Sequence, residues 1–173
     1  MRRLFLFLIF SSLIVMASES FSQPLAVGDS GPQLETRTQN GKTLRLNRAF
    51  YEGLVLFFFY PKADTPECTS QACSLRDAYP QLLEAGVKIF GVSFDSSREQ
   101  QEFAQKYDLP YPLIPDPEGK VIQGFGVPSR ASGGQSYAAR QAYLLRDGEI
   151  IWRDLSASTH TQAEDVLQFL ENR

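Results

Sequence analysis

Residues 54–73 read Leu-Val-Leu-Phe-Phe-Phe-Tyr-Pro-Lys-Ala-Asp-Thr-Pro-Glu-Cys-Thr-Ser-Gln-Ala-Cys. The first six, Leu54 to Phe59, form a continuous apolar run of β-forming side chains, which is typical of a strand buried on both faces. Thr65 is a good helix N-cap, Pro66 suits the first helical position, and Gly86 suits a helix end. The stretch therefore predicts a buried strand, a tight loop and a helix that runs from Pro66 to Glu84.

The two cysteines of the chain, Cys68 and Cys73, both fall in the first turns of this predicted helix. A thiol attacks only as its thiolate, and the unpaired N–H groups and the dipole of a helix start favour an anion. Positions five residues apart in an intact α-helix are roughly 8.6 Å apart at Cα, whereas a disulfide tolerates at most about 7 Å. Cys68 and Cys73 can therefore bond only if the first turns unwind. This separates the chain from oxidoreductases with a Cys-x-x-Cys pair.

Composition excludes several other classes of function. The chain has 173 residues, 43% of them apolar, and a formal net charge of −3, which suits one domain with a proper core and no nucleic-acid-binding surface. Two cysteines and one histidine, His160, cannot supply four zinc ligands. We therefore expect no zinc site of this kind, and we expect His160 to be an exposed loop residue. Chemistry at a reactive thiol needs no metal and no bound cofactor, so we expect neither.

The N-terminal 22 residues are typical of an export signal. Arg2 and Arg3 precede an apolar run from Leu4 to Met16, which is short for a membrane span of about 20 residues and suits the apolar region of a signal peptide. Cleavage after Ser22 would leave one domain, residues 23–173, in the periplasm or an equivalent compartment, without stable membrane association. An uncleaved membrane anchor is the alternative.

The rest of the chain alternates between strand and helix patterns. Strands are predicted at Leu34–Arg37, Lys42–Leu46, Val87–Ser93, Tyr111–Pro115, Gln141–Leu145 and Glu149–Leu155. Helices are predicted at Ser97–Tyr107, Glu118–Phe125 and Gln162–Asn172, and a loop at Ser129–Tyr137. This order predicts an α/β fold in which helices flank a mixed central sheet, with an extra β-hairpin in front.

The pattern Pro61-x-x-x-Thr65-x-x-Cys68 resembles the active-site motif of the peroxiredoxins. The run from Tyr60 to Cys73 is similar to that of the bacterioferritin-comigratory, or peroxiredoxin Q, branch, as are later blocks through most of residues 92–145. The resemblance implies a thioredoxin-like fold, with the N-terminal hairpin as an extension. It also implies an enzyme that reduces hydrogen peroxide and organic hydroperoxides with its thiols.

The resemblance also implies a role for each matching residue. Cys68 takes the peroxidatic position and Cys73 the resolving position, while Thr65 and Arg140 take the positions that bind and polarise the peroxide. Pro61 would shield the site and contact substrate. The implied cycle runs through a Cys68 sulfenic acid and a Cys68–Cys73 disulfide, which a thioredoxin-like dithiol reduces. The branch is often monomeric, so we expect a monomer.

Two departures from the branch pattern stand close to the implied site. Glu67 replaces a usual glycine and places a carboxylate beside the thiol, and Gln141-Ala142 replaces a usual pair of small hydroxyl residues. Two other functions stay open on the residues alone. They are an exported thiol–disulfide exchange protein that acts on proteins, and a binding protein on the same scaffold without chemistry.

Overall fold

The protein is represented by a computed structural model that describes residues 23–172. The export signal predicted over residues 1–22 lies outside the described residues. Within 23–172, no helix is long and apolar enough to cross a membrane.

Nine strands and six helices make up the described part of the chain. In chain order they are β1 (Glu35–Arg37), β2 (Thr43–Arg45), α1 (Leu46–Ala49), β3 (Leu54–Phe59), α2 (Pro66–Asp77), α3 (Tyr79–Glu84), β4 (Val87–Ser93), α4 (Ser97–Lys106), β5 (Leu113–Pro115), α5 (Lys120–Gly124), β6 (Ser129–Ser132), β7 (Gln135–Ala138), β8 (Gln141–Arg146), β9 (Glu149–Asp154) and α6 (Gln162–Glu171).

A five-stranded mixed sheet in the order β5-β4-β3-β8-β9 forms the centre of the fold. Strands β3, β4 and β5 are parallel, whereas β8 and β9 run antiparallel to their neighbours. The predicted mixed α/β sheet is confirmed. The predicted N-terminal hairpin is also confirmed, with Thr36 opposite Leu44 in the β1–β2 pair.

The central strand β3 is buried on both faces, as its apolar run predicts. Leu56 and Phe58 point into a core shared with helices α2, α3, α4 and α6. Val55, Phe57 and Phe59 belong to the opposite core, which includes residues of α1 and α5. Because side chains alternate along a strand, an all-apolar strand requires a covering layer on each face.

The single helix predicted over Pro66–Glu84 is wrong, because the chain forms two helices there. Helix α2 ends at Asp77, Ala78 leaves helical geometry with ψ near 4°, and α3 begins at Tyr79. The cause is Pro80, which has no N–H to donate and whose ring would collide with the carbonyl four residues earlier.

The loop predicted over Ser129–Tyr137 is also wrong. Residues Ser129–Ser132 and Gln135–Ala138 pair as an exposed antiparallel hairpin. Gly133 and Gly134 make its turn with φ of 59° and 76°, a geometry that two-residue hairpin turns require and glycine adopts freely. The strands lack the apolar alternation that marks a strand in the sequence.

Candidate active site

Cys68 lies in the first turn of α2 and is only 2% exposed. The buried strand β3 leads into the loop that ends at Thr65, which is the N-cap of α2, with φ −93° and ψ 152°. The Thr69 N–H donates to the Thr65 carbonyl at 2.8 Å and closes the first helical turn. Strand β3 thus determines where α2 begins, and the start of α2 determines the position of the Cys68 thiol.

Arg140 reaches Cys68 from the start of β8, the strand next to β3 in the sheet. Strand β8 pairs with β3 so that Gln141 lies opposite Phe59, and Arg140 immediately precedes β8. Its Nη2 lies 3.5 Å from the Cys68 Sγ, although the residues are 72 positions apart in the chain. A guanidinium at this distance stabilises negative charge on the sulfur.

A buried pair of amides holds the Arg140 guanidinium in place. Arg140 Nη1 donates to the Gln71 Oε1, and Gln71 Nε2 donates to the Gln162 Oε1 at 2.8 Å. Because a guanidinium has donors only, the Gln71 oxygen must face Arg140 and its NH₂ must face Gln162. Gln71 and Gln162 are both essentially inaccessible to solvent. The pair links α2 and α6 to the group that contacts the thiol.

Sequence reasoning missed Gln71 and Gln162, although a signal for Gln71 is present. The buried positions of α2 are Cys68, Gln71, Ala72 and Leu75, which follow helical periodicity. Helical spacing alone therefore places the Gln71 amide on the same face as the thiol, and a buried amide requires hydrogen-bond partners. A similar signal marks Gln162, which lies one helical turn before Val166 on the buried face of α6.

Replacing Gln162 by leucine is expected to lower kcat/KM for peroxide about three- to tenfold. The change removes the acceptor of the Gln71 NH₂, a buried loss of about 1–3 kcal/mol, and loosens Arg140 against Cys68. Stopped-flow peroxide reduction measures the effect, and Gln105→Leu, at an exposed position of α4, is the control. Equal rates for the two variants would contradict a positioning role for Gln162.

Thr65 occupies the predicted N-cap position, but its side chain makes no capping bond. Its hydroxyl instead donates to the Lys62 carbonyl at 2.9 Å. The oxygen still has free lone pairs, so this hydroxyl can accept a hydrogen bond, but it has no second hydrogen to donate. Thr65 is therefore the N-cap of α2 by position, as predicted, without a side-chain capping bond.

The loop before Thr65 is held by Asp95, which follows the carboxyl end of β4. The buried Asp95 carboxylate accepts the Ala63 N–H at 2.7 Å and the Ser93 hydroxyl at 2.6 Å. The Lys62 Nζ lies 3.5 Å from the same carboxylate. These bonds fix the loop whose carbonyl receives the Thr65 hydroxyl, a supporting role that the sequence motif did not indicate.

Pro61 is half-buried. It lines a small cavity of about 260 Å³ with Lys62, Asp95 and Tyr137, and Cys68 is not among the lining residues. The predicted contact between Pro61 and substrate stays a prediction.

Glu67 lies beside the site but faces solvent. Its side chain is 83% exposed, and its carboxylate is 3.7 Å from the Arg140 Nη2. The departure from glycine thus adds to the largely buried guanidinium a long ion pair whose carboxylate is exposed to solvent, and solvent-exposed partners contribute little.

Cys73 lies on the same continuous helix as Cys68, and both thiols are free. It is half-buried, and this burial raises the pKa of the Cys73 thiol above its ordinary value. The intact α2 thus holds the two thiols apart, as the helix geometry predicts.

His160 is exposed, as predicted, and its carbonyl accepts the Ser74 hydroxyl at 2.9 Å. Among residues 23–172, no cluster of three or more His, Cys, Asp or Glu is placed to hold a metal ion.

The sequence of this chain is similar to those of known proteins. The AhpC/TSA family model matches residues 27–153. The chloroplastic peroxiredoxin Q of Suaeda salsa is 40% identical over 84% of this chain and 67% of its own.

Two solved structures share the fold. The peroxidoxin BcpB of Mycobacterium tuberculosis has a TM-score of 0.79 and 32% identity, with 86% of this chain and 97% of that one covered. The bacterioferritin comigratory protein of Xanthomonas campestris, whose structures concern alkyl peroxide reduction, has a TM-score of 0.74 and 25% identity over 86% and 96%. The thioredoxin-like fold with an N-terminal hairpin is thereby confirmed. The chain belongs to the AhpC/TSA family, in its bacterioferritin-comigratory or peroxiredoxin Q branch, and is a thiol peroxidase that reduces hydroperoxides.

Proposed function

We propose that Cys68 is the peroxidatic residue of this peroxidase. The observation that carries the proposal is the 3.5 Å contact between the Arg140 Nη2 and a thiol in the first turn of α2. The thiolate attacks the terminal peroxide oxygen, the O–O bond breaks, and the remaining oxygen leaves with a proton as water or an alcohol. Cys68 becomes a sulfenic acid and is thereby oxidised by two electrons.

Arg140 and Thr65 have different roles in binding the peroxide. The Arg140 guanidinium supplies donors where negative charge moves onto the lengthening O–O bond. The Thr65 hydroxyl already gives its hydrogen to the Lys62 carbonyl, so its oxygen accepts the O–H of the incoming hydroperoxide. This assigns Thr65 to orientation of the substrate and Arg140 to stabilisation of charge.

Cys73 resolves the sulfenic acid. Its thiolate attacks the Cys68 sulfur, hydroxide leaves and takes a proton, and a Cys68–Cys73 disulfide and water result. The helix must first lose the Gln71 bonds to Arg140 and Gln162. It must also lose the bond from the Tyr111 hydroxyl to the Ala72 carbonyl, 2.6 Å long. These contacts explain how the wound helix keeps the site assembled until Cys68 is oxidised.

The reductant and the working compartment complete the proposal. A thioredoxin-type dithiol returns the disulfide to two thiols, in keeping with the peroxiredoxin Q relatives. The N-terminal pattern supports a working place outside the cytoplasm for the domain of residues 23–173, with a reductant from that compartment. The resemblance to an often monomeric branch supports a monomer. Alkyl hydroperoxides join hydrogen peroxide as substrates, supported by the Xanthomonas relative.

Peroxide consumption by the purified protein tests this function. With dithiothreitol as electron source, hydrogen peroxide and cumene hydroperoxide should both be consumed in a manner that saturates with substrate. The competing function, thiol–disulfide exchange on proteins, predicts reduction of insulin disulfides instead. Insulin reduction without peroxide consumption would reject the peroxidase.

A further inference from the structure

A groove of about 1070 Å³ runs between α6 and the helices α2 and α3. Cys73 lines it beside the apolar side chains of Leu167 and Leu170, which are only half-buried. We call this feature the Cys73 groove. It provides an open approach to the half-buried Cys73, whereas Cys68 is 2% exposed.

The charged side chains that line the Cys73 groove are all acidic. Its charged lining residues are Asp77, Glu84, Glu164 and Glu171, and no lysine or arginine lines it. Asp77 is paired with Arg76 at 2.8 Å. The structure gives the other three carboxylates no ion pair with any of residues 23–172. The groove therefore presents uncompensated negative charge around an apolar floor.

We infer that the Cys73 groove is the docking site of the protein dithiol that reduces the enzyme, and that this reductant is positively charged around its reactive thiol. The inference rests on the proposed Cys68–Cys73 disulfide. Negative charge on the groove attracts a cationic surface and repels an anionic one, which sets the association rate and excludes wrong partners.

The chemistry of disulfide reduction favours attack from this groove. The reductant thiolate bonds to the Cys73 sulfur and expels Cys68 as a thiolate, which Arg140 stabilises. The second thiol of the reductant then attacks the reductant sulfur that is bonded to Cys73, and the Cys73 thiol is released. The reductant ends as a disulfide, and two electrons have moved to the enzyme. Attack at Cys68 would instead expel Cys73, on which the Arg76 guanidinium acts electrostatically but to which no guanidinium donates a hydrogen bond among the described residues.

The charged part of the groove persists when α2 unwinds. Glu84 belongs to α3, and Glu164 and Glu171 belong to α6. None of them lies in the turns between Cys68 and Cys73 that must open. The oxidised enzyme therefore still presents these carboxylates to its reductant.

Two synthetic dithiol peptides test the inference on the oxidised full chain. Both carry one Cys-x-x-Cys core, flanked by lysines in one and by glutamates in the other, and dithiothreitol serves as the neutral reductant. At low salt the lysine peptide should reduce the enzyme at least about tenfold faster than the glutamate peptide. The difference should shrink at high salt.

Charge reversal identifies the surface responsible. Glu84→Lys with Glu171→Lys should remove or invert the preference, whereas Glu102→Lys with Glu149→Lys, exposed carboxylates outside the groove, should preserve it. Both double variants should react normally with dithiothreitol. Equal rates for the two peptides, or equal changes in both double variants, would overturn the inference. If no Cys68–Cys73 disulfide forms at all, the proposed function fails instead.

Discussion

Replacing Cys68 by serine is expected to abolish peroxide reduction, with a loss of at least about a thousandfold in rate. A serine hydroxyl does not ionise near neutral pH, so the nucleophile is lost even with Arg140 in place. Serine has nearly the shape of cysteine and is tolerated in the first turn of a helix, so the fold should persist. The loss would therefore be a loss of chemistry.

Stopped-flow peroxide reduction, with thermal unfolding as the check on folding, measures the effect of Cys68→Ser. The matched control is Ser70→Ala, which makes a similarly small change on the same helix and leaves both thiols in place. A Cys68→Ser protein that retains the wild-type rate would reject Cys68 as the peroxidatic residue. Loss of rate in both variants would point to damage of α2 instead.

Replacing Cys73 by serine is expected to preserve the first turnover and to lose the later ones. Cys68 and its contact with Arg140 are unchanged, so the thiolate still attacks peroxide. The sulfenic acid then has no second thiol to condense with, since the chain has two cysteines only. It persists and reacts with further peroxide to sulfinic and sulfonic acids.

Intact mass after increasing amounts of peroxide measures this outcome. The Cys73→Ser chain should gain one oxygen and then two or three, whereas the wild type should lose two hydrogens and gain no oxygen at equal peroxide. Cys73→Ala should behave like Cys73→Ser. A Cys73→Ser chain that resists overoxidation as well as the wild type would contradict the role of Cys73.

The sequence predicted the parts of the site that depend on local pattern. The apolar run of β3 indicated a doubly covered strand, and the Thr65-Pro66 pair indicated the helix start that holds Cys68. The resemblance to a known family supplied Arg140, because nothing in the local pattern pairs it with a thiol 72 residues away.

The parts that escaped prediction depend on tertiary contacts or on short polar elements. Helical spacing from Val166 places Gln162 on the buried face of α6, but only the packing of α6 on α2 brings it to Gln71. The hairpin β6–β7 has no apolar face to mark it. The break before α3 was readable from Pro80, whereas the prediction of a single helix relied on Gly86 as the helix end.

The mass of the wild-type chain after one equivalent of hydrogen peroxide, followed by thiol alkylation, tests most directly whether α2 activates Cys68 and then unwinds to let Cys73 reach it. The account predicts a mass lower by two hydrogens, no alkylated thiol, and one cross-linked peptide that joins Cys68 to Cys73. A chain that consumes the peroxide but keeps an alkylatable Cys73 beside an oxygenated Cys68 would contradict it.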